Sequence, residues 1–156
     1  MAVFTWRKAG ATPAVDTGTV TFASALAATT RALRVQEFSL SGNFTASGFN
    51  EFQVAPGNSG TGALTNVAPF PINPLSTAAA GFTMGTTYAT AIPTVNAQAG
   101  LAPGVNSNGG NYRWLAKTNF ELISNQATAG YQSMNWKVIA TSANGSVSFH
   151  SMLEEL

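Results

Sequence analysis

The chain has 156 residues and no cysteine, so it is long enough for one domain with a real core and carries no disulfide framework or thiolate metal site. Only 8% of its residues are charged, against about 25% in an ordinary domain, and a net charge of +1 leaves no basic footprint for nucleic acid. No apolar run approaches the roughly 20 residues of a membrane span, and the Met-Ala start without a charged-then-apolar leader gives the expectation of no secretion signal.

So neutral a monomer has poor colloidal stability. Two readings are open. The surface is made of Thr, Ser, Asn and Gly, or much of it is covered by other subunits, since interface cores are depleted of charge. Solubility and stability both favour the second.

In chain order, Ala2 to Lys8 holds Val3, Phe4 and Trp6 and reads as a first short strand or an arm; residues 1–18 are the candidate N-terminal arm. Thr19 to Phe22 alternates weakly and is a strand. Ala23 to Thr30 is rich in alanine, but Thr29-Thr30 and the β-pattern beyond them limit it to one helical turn or a loop. From Arg31 to Val54 the pattern is β. Leu33 and Val35 share one face, and Phe38 and Leu40 share a face in the opposite phase. That flip asks for a β-bulge near Gln36-Glu37 or for burial of both faces. Phe49 to Val54 is a short strand with Phe52 and Val54 on one side.

Residues 55–110 differ. They hold six of the seven prolines (Pro56, Pro69, Pro71, Pro74, Pro93 and Pro103), with Gly, Ala, Asn and Ser between them. Prolines this dense exclude central strands and long helices, although a strand piece fits Gly81 to Thr90. Tyr112 to Ile123 returns to β, Phe120 included. The clearest β signal is Ser133 to Leu153. Asn144-Gly145 marks a two-residue hairpin turn. In that register Ala140 faces Phe149, Val138 faces Ser151, and Trp136 faces Leu153. One face then carries Met134, Trp136, Val138, Ala140, Val147, Phe149 and Leu153. The other carries Asn135, Lys137, Thr141, Ser148 and His150, with Ile139 and Met152 as exceptions.

Seven to nine short strands with one-sided apolar faces need a second layer. The expectation is a single all-β domain over 1–156, an antiparallel two-sheet sandwich, jelly-roll-like, with a long Pro/Gly-rich loop or arm.

Candidate chemistry is sparse. His150 is the sole histidine and lies on a polar face, and a metal site needs several such ligands. A catalytic triad would have to join His150 to Asp16, the sole aspartate, with no Gly-x-Ser-x-Gly elbow present. Glu37 and Glu51 could meet on neighbouring strands as a glycosidase pair, but strand-edge charges against stray pairing explain them as well. The glycine-rich Gly57-Asn58-Ser59-Gly60-Thr61-Gly62 lacks the Lys-Ser/Thr of a phosphate cradle and reads as a turn. The sequons at Asn43 and Asn144 read as chance matches. Trp6, Tyr112, Trp114 and Trp136 could form a sugar-stacking platform, though aromatics at alternate strand positions are more often core. Arg31, Arg34 and Arg113 are the candidates for polar contacts to a partner. No catalytic residue, cofactor site or metal site is assigned, and no enzyme activity is expected.

Several stretches together resemble the small structural proteins of tailed-bacteriophage virions, particularly capsid decoration (cement) proteins. They are Ala32-Leu33-Arg34-Val35 into Glu37-Phe38, Phe49-Asn50-Glu51-Phe52-Gln53-Val54, Ile72-Asn73-Pro74-Leu75, Tyr112-Arg113-Trp114-Leu115, and the ending Glu154-Glu155. The resemblance implies a β-sandwich, often a homotrimer, that sits on or joins capsid subunits. The expected partners are copies of itself and the major capsid protein or another virion protein, with no nucleic acid and no membrane. The expected location is the virion, assembled in the host cytoplasm. Phe70, Ile72, Leu75, Phe82, Tyr112 and Trp114 join the three arginines as interface candidates. The alternative is a carbohydrate-binding β-sandwich, alone or as the receptor-binding tip of a tail fibre.

Overall fold

The computed structural model describes residues 2–43, 47–66, 69–73, 75, 80–96, 100–117, 121–142 and 145–156. Among them there is no helix. Twelve strands are present: β1 (Ala2–Ala11), β2 (Val20–Leu26), β3 (Ala32–Gly42), β4 (Phe49–Gly57), β5 (Leu64–Asn66), β6 (Phe70–Pro71), β7 (Thr83–Tyr88), β8 (Gly104–Asn106), β9 (Asn111–Leu115), β10 (Leu122–Asn125), β11 (Ser133–Thr141) and β12 (Val147–Glu155). They form two antiparallel sheets packed as a sandwich. Sheet A runs β10-β3-β12-β1-β6, with β9 also on β3, and sheet B runs β5-β7-β2-β11-β4-β8. The pairings nest: the first strand joins the last (β1·β12), then β2·β11, then β3 with β9 and β10, then β4·β8.

The apolar alternation read from sequence is the core. Phe4, Val35, Phe38, Leu40, Phe149 and Leu153 point inward from sheet A, and Phe52, Val54, Met134, Trp136 and Val138 from sheet B. Rings meet across the gap, Trp136 with Phe149 at 5.1 Å and 59° and Phe22 edge-on to Phe149 at 6.0 Å, while Phe22 and Phe52 meet edge-on within sheet B at 5.0 Å; such pairs are worth about 0.5–1.5 kcal/mol each beyond area burial.

The hairpin at Asn144-Gly145 is overturned. β11 bonds to β2 and β4, whereas β12 bonds to β1 and β3, so the two strands face each other from opposite sheets. Trp136 therefore lies beside Val54 and Ala23, and Leu153 beside Phe4 and Val35. The reason is physical. Two strands of one hairpin and two strands facing across a core show the same inward alternation, so periodicity cannot tell them apart. Ala140 is exposed rather than inside, since the ladder to β4 shifts register between Val138 and Ala140. Residues 143–144, and Phe44, Thr45, Pro74 and Phe120, lie outside the described residues.

Of the helical turn or loop expected in Ala23 to Thr30, the first half is strand, because β2 runs to Leu26, and Ala27 to Thr30 form a loop. The strand's alanines are small for a packing reason: Ala23 sits opposite Trp136 and Ala25 opposite Met134. The bulge at Gln36-Glu37 is present. Met152 pairs with Glu37 and Leu153 with Val35, leaving Gln36 as the extra residue. Ala2–Ala11 is a strand inside sheet A, between β12 and β6.

Described parts of the proline-rich segment bond back to the strands of the sandwich and to one another. Val54 bridges Leu101, Gly57 bridges Val95 and Thr61 bridges Ala91. Tyr88 reaches over the outer face of sheet B, and the 58–60 turn closes on it. A Cβ at Gly60 would come within 2.7 Å of the Tyr88 ring, and the residue's φ of 70° also suits glycine alone.

Candidate functional site

The interface candidates separate into three groups. The first lies on the β6 edge of sheet A. Phe70 pairs with Thr5 and shares its outward face, because the neighbouring Phe4 points into the core. Ile72 N donates to Val3 O at 3.0 Å, and Leu75 N donates to Asn73 Oδ1 at 3.0 Å, a two-residue Asn turn that presents the leucine. The backbone is held, but the side chains are not covered: Phe70 is 69% exposed, Ile72 43% and Leu75 89%. Phe82 does not belong with them. It is buried, with its ring edge-on to Phe4 at 5.4 Å.

The second group is the arginines, each already matched within the chain. Arg31 Nη1 lies 3.3 Å from Glu155. Arg34 donates to Glu154 at 2.9 Å and to Glu121 at 2.8 Å, and Gln36 Nε2 also donates to Glu154. Arg113 grips Glu37 with two bonds of 2.7 and 3.0 Å. That fork holds the Glu37 carboxyl below the usual carboxylate range. Glu154 and Glu155 are buried within β12 and need these partners, since an unpaired buried carboxylate is costly.

The third group is aromatic. Tyr112 and Trp114 on β9 share the inward face of Phe38 but sit at the open edge, half-buried. Trp114 stacks on Phe38 at 5.6 Å and 24°, and Tyr112 lies 5.8 Å from the same ring. Burial pushes the Tyr112 hydroxyl above its ordinary value. Arg113, Trp114, Leu115 and Lys117 line an open cavity of about 480 Å³. Trp6 and Trp136 are core residues instead, so the four-ring platform is reduced to this pair.

The remaining titratable groups are dispersed. His150 Nε2 is 2.7 Å from Thr5 Oγ1 on the outer face of sheet A. Asp16 is far from it in the fold: it accepts N–H bonds from Val138 at 3.0 Å and Phe22 at 3.3 Å at sheet B. Burial pushes its carboxyl above the ordinary value. Glu37 is in sheet A and Glu51 in sheet B, so they do not meet on neighbouring strands. Among the described residues, no three His, Asp or Glu side chains converge as a metal site would need.

Sequence reasoning missed a buried polar chain on the outer face of sheet B. Tyr88 OH and Ser24 Oγ are 2.7 Å apart, Ser24 donates to Asn135 Oδ1 at 2.8 Å, Asn135 Nδ2 donates to Ser133 Oγ at 2.8 Å, and Ser133 donates to Asn58 O at 2.5 Å. Burial also raises the Tyr88 hydroxyl. Asn135 reads as solvent-facing in sequence, and Ser24 falls in the stretch read as a helical turn or loop; both are buried in the structure beneath Tyr88 and the 58–60 turn.

Compared with known proteins, the chain matches no family model, no curated protein and no solved structure. The fold and surface just described define the class: an all-β, two-sheet antiparallel sandwich with an uncovered apolar edge.

Proposed function

We propose that the chain is a non-enzymatic virion structural protein that decorates or cements a bacteriophage capsid, through contacts with its own copies and with the capsid. The observation that carries this reading is the β6 edge, where Phe70, Ile72 and Leu75 stand exposed within six residues. Their summed exposure equals about two fully exposed side chains, roughly 3–6 kcal/mol of hydrophobic driving force if covered. Association costs about 4–15 kcal/mol in lost freedom, so one such contact alone is weak. Repeated contacts around a closed ring or on a shell overcome that cost. The nesting of β1·β12, β2·β11, β3·β9/β10 and β4·β8 supports reading the sandwich as a jelly roll, an architecture used by viral capsid and lectin domains. The internal pairing of Arg31, Arg34 and Arg113 fits a surface that docks by shape and apolar contact rather than by charge.

The test is co-sedimentation. Particles from the phage that encodes the chain should band with it, and Phe70→Ser with Leu75→Ser should release it. A chain that stays wholly in the soluble fraction overturns the proposal. A second reading, binding of a carbohydrate, draws on Trp114 stacked at the mouth of an open cavity. It expects glycan-array binding that Trp114→Ala abolishes.

A further inference from the structure

The outer face of sheet A, inward from the β6 edge strand, carries polar residues ordered in rows. Directly opposed residues of neighbouring antiparallel strands share a face. The registers put Arg7 opposite His150, His150 opposite Ser39, and Ser39 opposite Arg113. Two residues along, Ser148 lies opposite Ser41, and Ser41 opposite Asn111. These rows border an open cavity of about 360 Å³ lined by Arg7, Ser39, Ser41, Ser148, Phe149 and His150. That volume falls within the range of small-ligand sites.

Some of these groups are already engaged. Ser148 Oγ accepts from Gly10 N at 3.1 Å and donates to Asn43 Oδ1 at 3.1 Å. His150 uses Nε2 on Thr5, which leaves Nδ1. Ser41 makes one long bond of 3.3 Å to Asn111. Arg7 and Ser39 are different: among the described residues, neither side chain has a hydrogen-bond or ion-pair partner. Arg31, Arg34 and Arg113 are each matched to a carboxylate, so Arg7 is the unmatched arginine. Glu37, the carboxylate on the same face, is paired with Arg113 through two bonds.

We infer that this face binds an oxyanion carried on a hydroxylated ligand, with an acidic monosaccharide unit as the chemical class. The Arg7 guanidinium takes the carboxylate in a forked, charge-assisted contact, about twice as strong as a neutral hydrogen bond. His150 Nδ1 and the Ser39 hydroxyl lie one and two strands away, about 5 and 10 Å in backbone spacing. A long arginine side chain spans much of that distance, so one sugar ring can meet all three. Serine hydroxyls both donate and accept, which matches the hydroxyls of a sugar. The site shares the outer face of sheet A with Phe70, which lies beside Thr5, but uses none of Phe70, Ile72 and Leu75 and does not rest on self-association.

The experiment is an NMR titration of the intact chain with sodium glucuronate, glucose and sodium sulfate in turn. Glucuronate should shift the amides of Arg7, Ser39, Ser41 and His150 saturably and bind more tightly than either of the others. Arg7→Ala should weaken glucuronate about ten-fold or more, the scale of a lost hydrogen bond to a charged group. Arg7→Lys should fall between, since it keeps the charge and loses the fork. Lys137→Ala, a cation on sheet B, should change nothing. Arg7 is exposed, so these variants keep the fold. Absence of a saturable glucuronate shift overturns the site. Equal binding of sulfate overturns the saccharide class, and undiminished binding by Arg7→Ala overturns the role of Arg7.

Discussion

Removing the Asn135 side chain tests whether the Pro/Gly-rich cover is locked to sheet B. Asn135 is fully buried and makes three contacts: it accepts from Ser24 at 2.8 Å and donates to Ser133 at 2.8 Å and, at the long distance of 3.4 Å, to Ala55 O. At about 1 kcal/mol net per hydrogen bond, Asn135→Ala should cost roughly 2–3 kcal/mol, before any term for the space it leaves. Tyr88→Phe removes one hydroxyl while Ser24 keeps its bond to Asn135, so it should cost about 1 kcal/mol. Both side chains act on Ser24 Oγ, so the double variant should deviate from additivity by about 0.5 kcal/mol or more. Urea unfolding monitored by tryptophan fluorescence measures all three. Additive losses, each below about 0.5 kcal/mol, would show that Asn135 faces water and that the cover is not where it is described.

Further perturbations follow from the core and from the charged groups. Trp136→Ala and Phe149→Ala should each cost about 3–5 kcal/mol. Their double-mutant coupling, read from urea midpoints, should lie near the aromatic-pair scale of about 0.5–1.5 kcal/mol; zero coupling would refute the facing of β11 and β12. Glu37 and Asp16 should have opposite pH signatures. Arg113 lowers the folded Glu37 value, so its stabilisation is complete above the ordinary 4.5 and is lost as pH falls through the folded value. Burial raises the folded Asp16 value, so its contribution to stability declines as pH rises from the ordinary 3.8 through the folded value. Arg113→Gln should therefore flatten the acid limb of a urea-midpoint profile between pH 3 and 7, and Asp16→Asn should match or exceed the native chain at pH 7. A loss of more than about 1 kcal/mol in Asp16→Asn would mean that the charge itself is favourable there.

The sandwich was legible because inward alternation is strong in β3, β4, β11 and β12, and because the phase flip between Val35 and Phe38 leaves few options other than the bulge found at Gln36. Strand partners were not legible. Val147, Phe149 and Leu153 carry no mark that tells a neighbour in the same sheet from a neighbour across the core. Small side chains misled at Ala23 and Ala25, where helix propensity is real but the space beside Trp136 and Met134 decides. At the candidate site, Phe70, Ile72 and Leu75 were legible as apolar residues among prolines, whereas Phe82 in the same segment turns inward onto Phe4. The arginines were read as free for partners. Their carboxylates come from as far along the chain as Glu154 and Glu155, and only folding brings those groups together.

Sedimentation equilibrium of the isolated chain tests self-association most directly. The expected result is a closed assembly, a trimer of the 16.1-kDa chain foremost, that dissociates when Phe70 and Leu75 are both changed to serine. A single 16.1-kDa species persisting up to about 1 mM, where even an association of about −4 kcal/mol would be visible, would contradict it.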